Sequence, residues 1–211
     1  MINIFFATSG GHKFQSLKKC VKKSTRIIFK TLGVGLPFIV SAAPTTYVLK
    51  NDAKTQVIAV FDCVPGFSGK VALGDDKYAH VWECENNTAS KYAIYQTSYL
   101  SHLSFTLSSK KDAAEFFSMY LANKMSQYLQ NSRMSNLRSA LLYIDYSSKE
   151  SAYANYLITY QWDMQARMAR QGRFLFRNGY VADWAVTSLT ESGVAAEEFN
   201  GYVKYFQIET Q

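Results

Sequence analysis

Gln165-Ala-Arg-Met-Ala-Arg-Gln-Gly-Arg-Phe-Leu-Phe-Arg-Asn-Gly-Tyr-Val-Ala-Asp-Trp-Ala-Val-Thr187 carries two opposed signals. Its first third is rich in good helix formers. Alternation argues the other way, with Phe174 and Phe176 on one side and Arg173 and Arg177 on the other. That is the period of a strand. Asn178-Gly179 then supplies the two residues that best accept positive φ in a two-residue hairpin turn, and Tyr180–Thr187 reads as the return strand. The stretch is an antiparallel hairpin. A two-residue turn sets Arg177 opposite Tyr180 and Arg173 opposite Trp184, and the four-residue step keeps both pairs on one face.

On the N-terminal side of this hairpin, Ala140–Tyr146 and Ala152–Trp162 read as strands, and Asn131–Asn136 as a polar link. The period changes between Lys110 and Gln130. Ala113, Phe116, Phe117, Tyr120, Leu121, Lys124 and Tyr128 recur at helical steps, and Ser109 is placed to cap. Further back, Thr46–Lys50, Thr55–Phe61, Lys70–Leu73, Tyr78–Cys84 and Lys91–Leu107 read as a β meander punctuated by turn residues. At the other end, Ala195, Phe199, Tyr202, Val203 and Phe206 share one face of a closing helix. The fold class is α+β: a single-domain layered sandwich of an antiparallel sheet with two main helices.

Charge decides what composition excludes. The 211-residue chain carries 23 Lys and Arg against 16 Asp and Glu. Lys13, Lys18, Lys19, Lys22, Lys23, Arg26 and Lys30 account for seven of the basic residues, and residues 1–42 hold no acid. The remaining 23 − 7 = 16 basic residues balance the 16 acids of 43–211. A neutral body removes the main support for nucleic-acid binding.

The basic run leads into an apolar stretch, Thr31–Val40, that is too short for the ~20 residues a membrane-spanning helix needs. Val40-Ser41-Ala42 follows with small residues. Residues 1–42 therefore read as a secretory signal peptide with an unusually long basic segment, cut before Ala43. The alternative is an amphipathic or single-pass anchor. On the export reading, 43–211 is the mature domain, with no transmembrane segment and two cysteines, Cys63 and Cys84. An even count in an oxidising compartment favours a disulfide over two buried thiols, and isolated cysteines lack metal-ligand spacing.

Tyr156–Tyr160, then Gly172–Val181, then Thr187-Ser188 and a final helix with Phe199, Tyr202 and Phe206 resemble the C-terminal half of Mog1/PsbP-like domains. The resemblance covers roughly residues 53–208 and rests on pattern, not on a signature peptide. The Lys91–Leu107 extension and the Cys63/Cys84 pair have no counterpart in it. It implies an α/β sandwich that acts as a non-enzymatic binding module, with no shared catalytic residues to carry over.

The residues themselves offer little catalytic chemistry. His80 and His102 fall inside expected strands with no nucleophile or acid in a recognisable motif. Glu83 and Glu85 share a strand face, which solvation explains better than glycoside chemistry. Asp62, Asp75 and Asp76 lack the periodic ligands of a calcium loop. Asn86-Asn87-Thr88 matches a glycosylation sequon common by chance. No catalytic residues, metal ligands or cofactors are expected.

What remains is the surface. All fifteen tyrosines lie from Tyr47 onward, and tyrosine is frequent at binding hot spots. Arg167, Gln171, Arg173 and Arg177, with Tyr180 and Trp184 opposite, form an arginine and aromatic face suited to an anionic partner, a lipid head group or an acidic protein surface. A final helix packed on that face would bury it. The expected function is an exported bacterial interaction protein, periplasmic or secreted, with a secreted hydrolase or a cell-envelope structural component as the alternatives.

Overall fold

The computed structural model describes residues 44–51, 55–72, 78–88, 91–100 and 106–210. The signal segment 1–42, His102 and Asp75-Asp76 lie outside the described residues.

The sheet is built outward from the hairpin. Strand β8 (Ala166–Arg177) pairs antiparallel with β9 (Tyr180–Leu189), and the register sets Arg177 against Tyr180 and Arg173 against Trp184. Asn178 and Gly179 both take positive φ, 50° and 78°, as the two-residue turn requires. On the far side of β8 run β7 (Ser151–Trp162) and then β6 (Met134–Ser148). Beyond β9 lie β5 (Tyr92–Leu100), β4 (Tyr78–Asn87) and β3 (Gly66–Ala72). These seven strands form one sheet in the order β3-β4-β5-β9-β8-β7-β6, and every pairing in it is antiparallel.

The expected meander divides in two. Strands β1 (Thr45–Asn51) and β2 (Thr55–Phe61) leave the main sheet and form a three-stranded sheet with β10 (Gln207–Thr210). The break falls at Asp62–Pro65, where proline cannot donate to a ladder. The C-terminus also departs from expectation. Helix α2 (Val194–Tyr202) stops short of Phe206, and a 3-10 turn at Val203–Tyr205 delivers the chain into β10. Phe206 is buried as its spacing suggests, but from outside the helix. Strand β6 is longer than its sequence suggests, because it starts within the polar Met134–Asn136 stretch and is interrupted by three register shifts.

Two cores result. Helix α1 (Lys110–Leu129), capped by the Ser109 hydroxyl accepting from the Asp112 N–H at 3.1 Å, covers one face of the β6–β8 half. Phe116, Phe117 and Tyr120 pack there on Phe174, Phe176, Tyr156 and Ile158. The small sheet and α2 cover the opposite face over β9, β8 and β5. Val57, Phe61, Tyr95, Trp184, Phe199, Phe206 and Ile208 fill that second core. Strand β9 is sandwiched, which explains eight consecutive buried residues from Val181 to Ser188.

A disulfide joins the layers. Cys63, just after β2, is bonded to Cys84 on β4, 21 residues on. Beside it, Lys91 Nζ reaches Asp62 at 2.6 Å and Glu198 of α2 at 2.7 Å, and the Tyr95 hydroxyl donates to Glu198 at 2.6 Å. Burial opposes the Lys91 charge, and these two carboxylates outweigh it and raise its pKa. Asn86 donates to the Asp62 backbone carbonyl and carboxylate. Its side chain is thus tied to the Asp62–Lys91 ion pair, which makes it a poor acceptor for a glycan.

Candidate functional site

Period two and the observed register place Arg167, Gln171, Arg173, Leu175 and Arg177 on one face of β8, opposite the face under α1. On β7 the same face carries Tyr153, Asn155, Leu157 and Thr159, and on β6 it carries Arg138, Ala140, Tyr143 and Asp145. Helix α2 and the small sheet lean on this face only as far as β8. Among the described residues it is therefore covered at one end and open at the other.

This division separates the expected site residues. Trp184 lies at the covered end. It is fully buried, stacked on Phe199 at 6.0 Å and on Phe206 at 6.3 Å. Trp184 is thus a core residue, removed from the surface by α2 and by Phe206 just before β10. Tyr180 is half-buried beside the same core, while Arg177 and Arg167 are exposed and Gln171 is half-buried. Arg173 stands opposite Trp184 in register, but its guanidinium turns to the open side. It lies 4.0 Å from the centre of the Tyr153 ring and donates through Nε to Asn155 Oδ1 at 2.8 Å.

Tyr143, which the sequence did not single out, completes this group. Its ring sits 5.8 Å from that of Tyr153 and is 53% exposed. Its neighbour Leu142, at the register shift between Leu141 and Tyr143, is 52% exposed. Two adjoining tyrosine rings and a guanidinium fixed over one of them make a rigid amphipathic platform. The charge around it is one-sided: Arg138, Arg167, Arg173 and Arg177 share the face with one acid, Asp145. Burial pulls the Arg173 pKa down, and Tyr153 and Asp145 oppose that shift.

The other face holds a second polar group, buried under α1. Asp183, on β9, is 1% exposed. Its Oδ2 accepts from Lys124 Nζ of α1 at 2.5 Å and from Arg170 Nη2 of β8 at 3.4 Å. Its Oδ1 accepts from the Tyr156 hydroxyl at 2.8 Å, which in turn accepts from Arg170 Nε at 3.2 Å. Burial and the nearby Arg170 lower the Lys124 pKa against the attraction of Asp183. Gly172 makes room for this network, since a Cβ there would stand 2.5 Å from the Tyr156 ring end.

The residues considered for chemistry are placed apart from one another. His80 packs edge-on between Phe67 and Trp82. Glu83 accepts from Gln96 at 3.3 Å, and Asp62 is held by Lys91 and Asn86. Among the described residues no three His, Cys, Asp or Glu side chains gather where they could hold a metal ion. Among the same residues, no helix is long and apolar enough to cross a membrane.

No family model and no curated protein matches the chain.

Proposed function

We propose that this chain is an exported, non-enzymatic binding module that takes an acidic protein surface onto the open half of its sheet. The observation that carries the reading is the Arg173–Tyr153–Tyr143 platform, fixed at 4.0 Å and 5.8 Å on the part of the face that α2 leaves uncovered. Guanidinium stacked on an aromatic ring retains its planar donors for a carboxylate. Rigid tyrosines add contact area at small entropic cost. The three flanking arginines give an acidic partner a complementary field and favour its encounter. The resemblance to Mog1/PsbP-like domains points the same way, and the Cys63–Cys84 disulfide agrees with an oxidising, exported location.

The test compares the full chain with Arg173→Glu/Arg177→Glu and Tyr143→Ala, folding being checked by circular dichroism. Partners are captured by cross-linking and identified by mass spectrometry. Their affinity is then measured with purified components at two salt concentrations. We expect an acidic protein whose affinity falls with salt and drops about tenfold or more in each folded variant, the scale of a hot-spot residue. Unchanged affinity in both variants refutes the site. Salt-dependent flotation with anionic liposomes, in the absence of a protein partner, replaces it with a lipid-binding reading.

A further inference from the structure

The group under α1 has an imbalance of charge. Lys124 and Arg170 bring two positive charges to one carboxylate, Asp183, in a place from which water is largely excluded. Buried charges are ordinarily matched one to one, because an uncompensated ion loses hydration without a return. Arg170 is enclosed, with its guanidinium on Asp183 and the Tyr156 hydroxyl. Lys124 is placed differently. Its side chain retains 15% of its exposure and makes one hydrogen bond, to Asp183, so two ammonium donors have no partner among the described residues.

The surroundings show where those donors lead. Helix α1 packs over β6 and β7, while β5 runs on the opposite side of β9. Across that boundary, Ser98 of β5 is the direct register partner of Asp183. By the same period, Gln96 and Ser98 share the Asp183 face, and both are half-buried; Gln96 donates to the Glu83 carboxylate at 3.3 Å, which leaves the Ser98 hydroxyl as the available group. The Ser98 hydroxyl has no hydrogen-bond partner among the described residues. Asp183 thus has an ammonium with spare donors on its carboxylate and a half-buried hydroxyl directly across the strand pair. That is the donor set of an oxyanion site, and it leaves Asp183 facing Arg170 and Tyr156.

We propose that Lys124 and Ser98 bind a small oxyanion, a carboxylate or a phosphate, whose charge balances the Lys124–Asp183–Arg170 group. The site is on the opposite face of the sheet from the Tyr143–Tyr153–Arg173 platform and does not depend on its function. Binding supplies the missing negative charge, so it stabilises the fold by mass action.

The test titrates the full chain with inorganic phosphate and, separately, with acetate, against chloride at equal ionic strength. Melting temperature and calorimetry are the two readouts. Saturable one-to-one binding is expected for at least one of the two ions, and the stronger arm identifies its class. Lys124→Met should weaken it by about tenfold or more, as loss of a charged hydrogen-bond partner does, and Ser98→Ala by a smaller factor. Lys124→Met leaves the matched pair Asp183–Arg170 and should melt no lower than the parent without the ion. Ser98→Ala removes one hydroxyl at a half-buried position and serves if Lys124→Met does not fold. No saturable response to either ion, or an equal response in a folded variant, overturns the proposal.

Discussion

Gly172 shows how much one missing Cβ can decide. A methyl group there would lie 2.5 Å from Tyr156 Cζ and hydroxyl and 2.7 Å from Ala185 Cβ. Tyr156 cannot swing away, because its ring stacks on Phe174 at 4.3 Å and its hydroxyl holds Asp183. Gly172→Ala should therefore cost about 1–3 kcal/mol, the range for overpacked cores. Urea unfolding measures it, and a change within about 0.5 kcal/mol, the scatter of ordinary surface substitutions, counts against the fit. Lys124 yields a prediction of opposite character. Its pKa is lowered in the native state by burial first and by Arg170 second. Between that lowered value and ~10.4 the unfolded chain binds the extra proton, so this group makes stability rise with pH across the window. Lys124→Met should remove that rise. Parallel stability curves for parent and variant between neutral pH and pH 10 contradict it.

At the scale of elements, the disulfide bears more than its loop length implies. Closing a loop of about twenty residues contributes roughly 3 kcal/mol in the chain-entropy description. Here the bond also ties the small sheet to the large one, next to the Lys91 ion pairs. Cys63→Ala/Cys84→Ala, or reduction, should lower stability by at least that amount, read by denaturant unfolding. Peptide mapping of the unreduced protein that recovers Cys63 and Cys84 as free thiols would end the claim. The elements themselves were unequally legible. Asn178-Gly179 and the helical steps from Ala113 to Tyr128 marked β8–β9 and α1, because local turn chemistry and period agree with the tertiary outcome there. Strand β6 was blurred by its three register shifts, each of which breaks the alternation that identifies a strand. Strand β10 was hidden because Phe206 fits a helical period and an extended one alike. The open platform was half legible: Arg173 was found by alternation, while Tyr143 follows a shift no pattern shows. The buried group is marked in the sequence by polar residues at core positions. Lys124 falls on the apolar face of α1, Arg170 shares parity with Phe174 and Phe176, and Asp183 interrupts Val181-Ala-Asp-Trp-Ala-Val186. Polar residues at core positions mark a network, but their partners lie 59 and 13 positions apart, beyond any local reading.

For the molecule as a whole, the abundance of tyrosine sets a limit at high pH. Tyr95, Tyr120 and Tyr156 are buried, at 0%, 4% and 0% exposure, in two different cores. Burial raises all three pKa values, assisted by Glu198 at Tyr95 and by Asp183 at Tyr120, while at Tyr156 Arg170 opposes the shift. An unfolded tyrosine loses its proton near pH 10, whereas these three keep theirs in the native state. The unfolded state therefore binds fewer protons above pH 10, and stability that is complete below that value falls as pH rises toward the native values. Each such group steepens the fall by up to about 1.4 kcal/mol per pH unit. Lys124 works the other way only until its unfolded form has also lost its proton. Past that point Lys124 no longer opposes the tyrosines of either core, so the two cores should fail together. A titration followed by tyrosinate absorbance and circular dichroism tests this. Tyr95, Tyr120 and Tyr156 should ionise in one cooperative step that coincides with loss of the sheet signal. If all fifteen titrate smoothly near pH 10 while the sheet signal persists, the buried hydroxyls are reachable by solvent, and the double core does not hold as described.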